Sequence, residues 1–119
     1  MREIKFYRIR SGSSPIEEFL DSLGPKQVQK ITWVLELIEE LEVVPKQYFK
    51  KLSGTDDIWE VRVIQRGESF RLLGFWDGSK FIVLVHAFKK KTQKVKKSDI
   101  DLAERRKRDY LKRKRYERS

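Results

Sequence analysis

Apolar and polar residues follow two periods along the chain, one typical of strands and one typical of helices. Residues 4–9 alternate between two faces and predict a first β-strand. A short helix should follow from Pro15 to about Ser22, because Ser14 suits the N-cap and Glu17 completes a capping box. A second helix should begin at Pro25. Its apolar stripe recurs at helical spacing: Val28, Ile31, Leu35, Ile38, Leu41.

The second half of the chain contains three strand-like runs, at residues 59–64, 70–76 and 81–88. Asp77-Gly78 predicts a two-residue turn between the last two runs. The turn between the first two is either Arg66-Gly67 or Gly67-Glu68. A basic helix or tail should follow from about residue 98, with Ser98 as its N-cap.

These elements predict the α+β class in the order β-α-α-β-β-β-α, within one domain over residues 1–119. We expect the two helices to form a hairpin that packs on one face of a four-stranded sheet. We expect the remaining helix at the C-terminus.

Strand alternation also assigns side chains to faces of the sheet. Two-residue turns place Arg62, Arg71 and His86 on one face, whereas a three-residue first loop would move Arg62 to the other. That face also carries Glu60, Leu73, Phe75, Ile82 and Leu84, and is too charged to be a core. The opposite face is almost wholly apolar and is the expected core: Trp59, Val61, Val63, Phe70, Leu72, Gly74, Trp76, Phe81, Val83, Val85, Ala87.

The charge distribution narrows the possible partners. The net charge is +10, and residues 1–88 contain equal numbers of basic and acidic side chains, so the whole excess lies in residues 89–119. A cationic arm of this kind predicts a polyanionic partner such as RNA, DNA, an acidic protein or a membrane surface. The alternative is a solubilising tail. The absence of cysteine, of a signal-peptide pattern and of a long apolar run predicts a cytoplasmic protein that does not enter membranes.

The basic face suggests an anion-binding groove. Two arginines on neighbouring strands repel unless an anion lies between them, and Glu60 is an internal alternative for that anion. Because His86 and the lysines at 89–91 lie nearby, an external phosphate is the better interpretation of the anion between the two arginines. Phe75 and Phe88 offer rings on which bases stack.

The residue inventory restricts the chemistry of this groove. One histidine and no cysteine argue against an ordinary zinc site, and no pattern places a serine and an aspartate beside His86. RNA supplies its own nucleophile, the 2′-hydroxyl. The protein then needs only arginines that stabilise the transition state and a lysine or histidine that moves a proton, with no metal or cofactor.

Several motifs resemble the RelE superfamily of toxins, in particular its phage-derived, HigB-like branch. They span nearly the whole chain: Lys51-Leu52, Ile58-Trp59-Glu60-Val61-Arg62-Val63, Phe70-Arg71-Leu72-Leu73, Phe88-Lys89-Lys90-Lys91-Thr92-Gln93, Ala103-Glu104-Arg105-Arg106. The resemblance implies a RelE-like fold and a toxin that enters the ribosome and cleaves translated mRNA. It also implies a cognate antitoxin, often with a helix-turn-helix domain, through which the pair reaches operator DNA.

The resemblance and the groove together assign roles to named residues. Those predicted to take part in cleavage are Arg62, Arg71, His86 and Lys90. Those predicted to bind RNA are Lys51, Phe88, Lys89, Lys91, Gln93, Arg105 and Arg106. The proton-transfer group stays open between His86, a lysine and Tyr110. The alternative function is a non-catalytic RNA- or ribosome-binding module on the same scaffold.

Overall fold

The structure, a computed structural model, describes residues 2–91 and 94–118. The elements are β1 Glu3–Phe6, α1 Pro15–Asp21, α2 Pro25–Glu40, β2 Phe49–Lys51, β3 Trp59–Gln65, β4 Glu68–Asp77, β5 Phe81–Lys89 and α3 Lys97–Arg118. The α+β class is confirmed, and so is the predicted order of elements apart from one additional strand, β2. None of the described helices is both long and apolar enough to cross a bilayer.

The first two helices begin at Pro15 and Pro25, as the sequence predicted. The Ser14 hydroxyl accepts a hydrogen bond from the Glu17 N–H at 3.2 Å. At the start of α2, the Gln27 side chain accepts one from the Gly24 N–H at 2.8 Å. The guanidinium of Arg2 donates to backbone carbonyls at the C-terminal end of α2, which have no partner within the helix.

The sheet has five strands in the order β1-β5-β4-β3-β2, with β1 parallel to β5 and the other pairs antiparallel. The expected four-stranded sheet therefore gains β2 as a second edge strand. Three residues, two of them lysines, are too few to show a strand pattern in the sequence.

The two hairpin turns differ in length. Gln65 pairs with Glu68, so Arg66-Gly67 is a two-residue turn, and both of its residues have positive φ as a type I′ turn requires. Asp77 pairs with Phe81, so residues 78–80 form a three-residue turn and the two-residue prediction is wrong.

A β-bulge lies in the middle of the β4–β5 pair. Gly74 pairs with Leu84 whereas Leu73 pairs with His86, which leaves Val85 as the additional residue. The strands approach closely here: a Cβ at Gly74 would lie 2.3 Å from the carbonyl oxygen of Val83, so only glycine fits.

The sheet separates two apolar cores, where the sequence predicted one. On the hairpin side, α1 and α2 cover most of the predicted core face, joined by two residues assigned to the other face, Ile82 and Leu84. On the opposite side, α3 covers a second core of buried residues: Tyr7, Ile58, Leu73, Phe75, Val83, Val85, Ala103. The prediction that Val83 and Val85 face the hairpin is wrong, because the three-residue turn reverses the alternation before the bulge.

Polar contacts fix α3 across the sheet. The Tyr7 hydroxyl donates to Asp109 at 2.6 Å, and Arg106 donates to the Val85 carbonyl at 2.8 Å. Near the C-terminal end of the helix, Lys114 pairs with Asp77 at 2.7 Å. Helix α3 packs on β4 and β5. The part of the same face near Glu60, Arg62 and Arg71 carries charged side chains.

Candidate nucleic-acid interface

Two arginines from neighbouring strands share one buried carboxylate. Arg62 of β3 pairs directly with Arg71 of β4, so both side chains project from the α3 side of the sheet. Glu60 places one carboxylate oxygen 3.2 Å from Nε of Arg71 and the other 3.6 Å from Nε of Arg62. The internal Arg–Glu–Arg arrangement, which the sequence left as an alternative, is present.

The two arginines differ in exposure. The Arg71 side chain is only 4% exposed, and it also donates to the hydroxyl of Ser69. Burial lowers the pKa of Arg71, while the carboxylate of Glu60 acts in the opposite direction. The Arg62 side chain is 34% exposed, so it is the more accessible of the two arginines.

Lys90 adds a third cation to this group. It follows the last residue of β5, and its N–H donates to the Ser69 carbonyl at 2.7 Å. Burial lowers the pKa of Lys90, and the charges of Arg71 and Arg62 lower it further. We call Glu60, Arg62, Arg71 and Lys90 the arginine cluster. Three cations around one carboxylate leave it positive.

A cavity of about 330 Å³ opens beside the arginine cluster, and Lys90 belongs to both. We call this cavity the lysine pocket. Five of its eight described lining residues are lysines, at positions 89, 90, 91, 94 and 96. The others are Phe88, Ser98 and Asp99. Such a lining favours an anionic ligand, with the Phe88 ring available for contact with a base.

His86 of β5 lies on the same face of the sheet and contacts Asp99 of α3 and Phe88 of its own strand. Its Nε2 lies 2.8 Å from an Asp99 carboxylate oxygen, and its ring stacks on Phe88 with centroids 5.2 Å apart. Asp99 orients the imidazole, as carboxylates do in histidine acid–base pairs. The sequence pattern did not place Asp99 beside His86; it lies there because the first turn of α3 packs over the end of β5.

The other predicted RNA-binding residues do not all meet at this site. Lys91 lines the lysine pocket, as does Lys89, although the ammonium of Lys89 pairs with Glu68 on the hairpin side. Arg106 points inward to the Val85 carbonyl. Lys51 lies at the β2 edge, 3.8 Å from Asp57. Gln93 lies outside the described residues.

Arg105 belongs to a different surface, the exposed side of α3. Four cations recur there at a spacing that places them on one helical face: Arg105, Arg108, Lys112, Arg115. We call this surface the helix stripe.

Several residues of the interface were missed by sequence reasoning. Ser69 and Asp99 orient Arg71 and His86, and Lys50 contributes to the field around Lys90. Lys96 lines the lysine pocket. The basic composition of residues 89–97 was the only available signal for Lys96, and Lys50 lies in the strand that the pattern did not predict.

A five-stranded sheet covered by a helical hairpin on one face and by a basic C-terminal helix on the other is compatible with the RelE-like α+β fold. The family described as "Phage derived protein Gp49-like (DUF891)" matches residues 18–108, and the chain belongs to this family. It is a toxin-like family related to the RelE/HigB type II toxins, and that relation suggests an antitoxin as partner. A search of curated proteins finds no match.

Proposed function

We propose that this protein is the toxin of a toxin–antitoxin pair and cleaves mRNA on the ribosome without a metal ion. The observation that carries the proposal is the arginine cluster, in which the partly exposed Arg62 lies beside Glu60 and Arg71, while Lys90, whose pKa is lowered by burial, also lines the lysine pocket. Residues 1–119 act as one toxin domain of the HigB-like branch, in the cytoplasm. Its partners are mRNA, ribosomal RNA and an antitoxin with a helix-turn-helix domain, through which it reaches operator DNA.

The roles divide between groups that reach the phosphate and groups that hold them. Arg62 binds the scissile phosphate and stabilises the charge that grows on its oxygens. Glu60 fixes the Arg62 guanidinium, and Arg71 neutralises Glu60, so Arg71 is a positioning residue. Phe88 and the lysine pocket receive the adjoining nucleotides.

The cleavage step balances without an outside reagent. A base removes the proton of the 2′-hydroxyl, whose oxygen bonds to phosphorus while the bond to the 5′-oxygen breaks. An acid returns a proton to that 5′-oxygen. We assign these two roles to Lys90 and His86, with Lys90 as the base, because burial lowers the pKa of Lys90 and so increases the fraction of its amine that is free to accept a proton.

The proposal is tested by inducing the protein in growing cells and mapping transcript ends. We expect arrested growth and transcripts cut within translated codons, with 2′,3′-cyclic phosphate ends. With purified ribosomes and mRNA, the cleavage rate should be independent of Mg²⁺ concentration over the range in which the ribosomes stay assembled. Arrest without cut transcripts would favour the alternative, a non-catalytic ribosome-binding module.

The pH dependence of cleavage tests the role of Lys90. A base works in its deprotonated form, so the rate should rise as pH passes through the pKa of Lys90, which lies below that of an ordinary lysine. Lys90→Gln should remove this rising limb and lower the rate by about 10²–10⁴-fold. Lys26→Gln provides the matched lysine control, because Lys26 is exposed on α2 and lies outside the interface. A rising limb that persists unchanged in Lys90→Gln would contradict the assignment.

The helix stripe predicts a salt-dependent contribution to RNA affinity. Changing Arg105, Arg108, Lys112 and Arg115 together to glutamine should flatten the slope of log affinity against log salt by about 0.7 per lost phosphate contact. Substitution is a cleaner test than truncation, since removing residues 112–119 would also remove the Lys114–Asp77 and Arg113–Asp109 pairs. An unchanged slope would assign the stripe to solvent alone.

A further inference from the structure

A second cavity, of about 490 Å³, lies at the β2 edge, and the proposed cleavage chemistry does not use it. Its apolar part consists of Val44 and the rings of Phe49, Trp59 and Trp76. Lys46, Lys50 and Lys51 stand around them. We call this cavity the aromatic pocket.

The aromatic rings of this pocket are already packed against one another. Phe49 stacks on Trp59 with centroids 4.9 Å apart, and Trp76 meets Trp59 edge to face at 6.1 Å. The indole N–H of Trp59 donates to Asp57 at 3.1 Å, which fixes the orientation of the ring. A ligand would therefore meet a preformed surface and need to order little of the protein.

The charges around the rings indicate the sign of the ligand. Besides its three lysines the lining includes Arg2 and no acidic residue. Arg2 is occupied by the carbonyls at the end of α2, and Lys51 lies near Asp57. Within the described part of the chain, Lys46 and Lys50 form no ion pair. An aromatic surface with free cations at its rim fits a flat ring attached to phosphates.

Lys50 connects this pocket with the arginine cluster. It lines the aromatic pocket, and its backbone lies opposite Glu60 in the β2–β3 ladder. Its charge is one of those that lower the pKa of Lys90. The rings lie on the hairpin side of the sheet and Arg62 on the α3 side. A nucleotide chain whose phosphate lies at Arg62 would therefore pass Lys50 and turn around the β2 edge to reach the aromatic pocket.

We propose that the aromatic pocket binds a base of the same single-stranded RNA, from a nucleotide close to the phosphate held by Arg62. The inference rests on the proposed function for the identity of the RNA. Unstacked bases of single-stranded RNA stack on protein aromatic rings in the same way, largely regardless of sequence. The pocket would thus contribute affinity and fix the register of the RNA on the cluster.

Intrinsic fluorescence can test this, because two of the three tryptophans lie in the pocket. The third, Trp33, is 44% exposed and packs against Tyr48. The Trp33→Phe protein is titrated with a short 2′-O-methyl RNA, which cannot be cleaved, and with the same oligonucleotide lacking bases. We expect saturable quenching by the first, and an affinity about tenfold lower or worse for the second.

Lys46→Glu should lower the affinity for the RNA about three- to tenfold, because it reverses a rim charge. Lys26→Glu is the matched control, since Lys26 is exposed at the opposite end of α2 and the net charge change is the same. It should bind as the parent does.

The outcomes separate this inference from the proposed function. Quenching that survives in Arg62→Ala, together with loss of cleavage, supports both. Cleavage without any change in the fluorescence of Trp59 and Trp76 overturns the pocket assignment and leaves the proposed function standing. Base-dependent quenching without cleavage overturns the proposed function and leaves the pocket assignment standing. Equal quenching by the abasic strand overturns the assignment. Saturation by a leucine-rich amphipathic peptide, with no response to RNA, would assign the pocket to a protein partner.

Discussion

Arg62→Ala should lower the rate of mRNA cleavage by about 10²–10³-fold, the loss typical when one donor to a transition-state oxyanion is removed. Arg62 is the exposed member of the arginine cluster, and its Nε lies 3.6 Å from Glu60. A partly exposed ion pair contributes little to stability, so the free energy of unfolding should change by less than about 1 kcal/mol. Single-turnover cleavage on programmed ribosomes measures the rate, and urea denaturation measures the stability.

Two further substitutions sharpen this experiment. Arg62→Lys keeps the charge but not the planar fork, so it should recover only part of the rate. Arg10→Ala removes an exposed arginine outside the interface and serves as the control. Cleavage by Arg62→Ala at the parent rate would remove the arginine cluster from the mechanism.

Arg71→Ala should instead destabilise the fold, by about 3–5 kcal/mol, because it removes the closer and buried partner of the Glu60 carboxylate and leaves only the partly exposed Arg62. The loss should appear as a lower urea midpoint with an unchanged slope. Toxicity would also fall, but part of that fall would come from unfolded protein, so the rate must be measured on the folded fraction.

A double substitution distinguishes the pair from simple loss of packing. Glu60→Leu combined with Arg71→Met removes both charges and fills the space, so it should recover much of the stability lost in Arg71→Ala. The doubly substituted protein should still cleave poorly, since nothing then orients Arg62. A loss below about 1 kcal/mol in Arg71→Ala would contradict the buried pair.

Most of the fold was predictable because its signals are local. Ser14, Pro15 and Glu17 define the start of α1 by contacts within four residues, and the Arg66-Gly67 turn requires two positive φ angles. Strand β2 was not predictable, because three residues acquire strand geometry only through the partner that they contact.

The second core was missed for a related reason. Alternation along β4 and β5 does not state what covers each face, and Leu73 and Phe75 look like surface residues until α3 packs on them. Compared with the predicted register, the turn at 78–80 shifts the pairing of β5 with β4 by three residues, and the bulge at Val85 shifts it by one more. Each shift is an odd number of residues and reverses the faces, so the two together restore them, and Arg62, Arg71 and His86 share one face although the predicted register of β5 was wrong.

The candidate site was predictable as a set of residue types but not as an arrangement. The sequence indicated Glu60 as a possible partner of both arginines. Only the structure shows that Arg71 is the buried partner of Glu60, whereas Arg62 stays partly exposed. Asp99 lies 13 residues from His86 in sequence, and the packing of α3 that joins them depends on long-range contacts.

The bulge at Val85 has a consequence for variation in length. Relatives that shorten the 78–80 turn by a single residue can keep His86, Phe88 and Lys90 on the cationic side only if they also lose the bulge. Insertions and deletions in this hairpin should therefore occur in compensating pairs. Gly74, which lies at the bulge, should become replaceable in chains that have lost both the bulge and one residue of the turn.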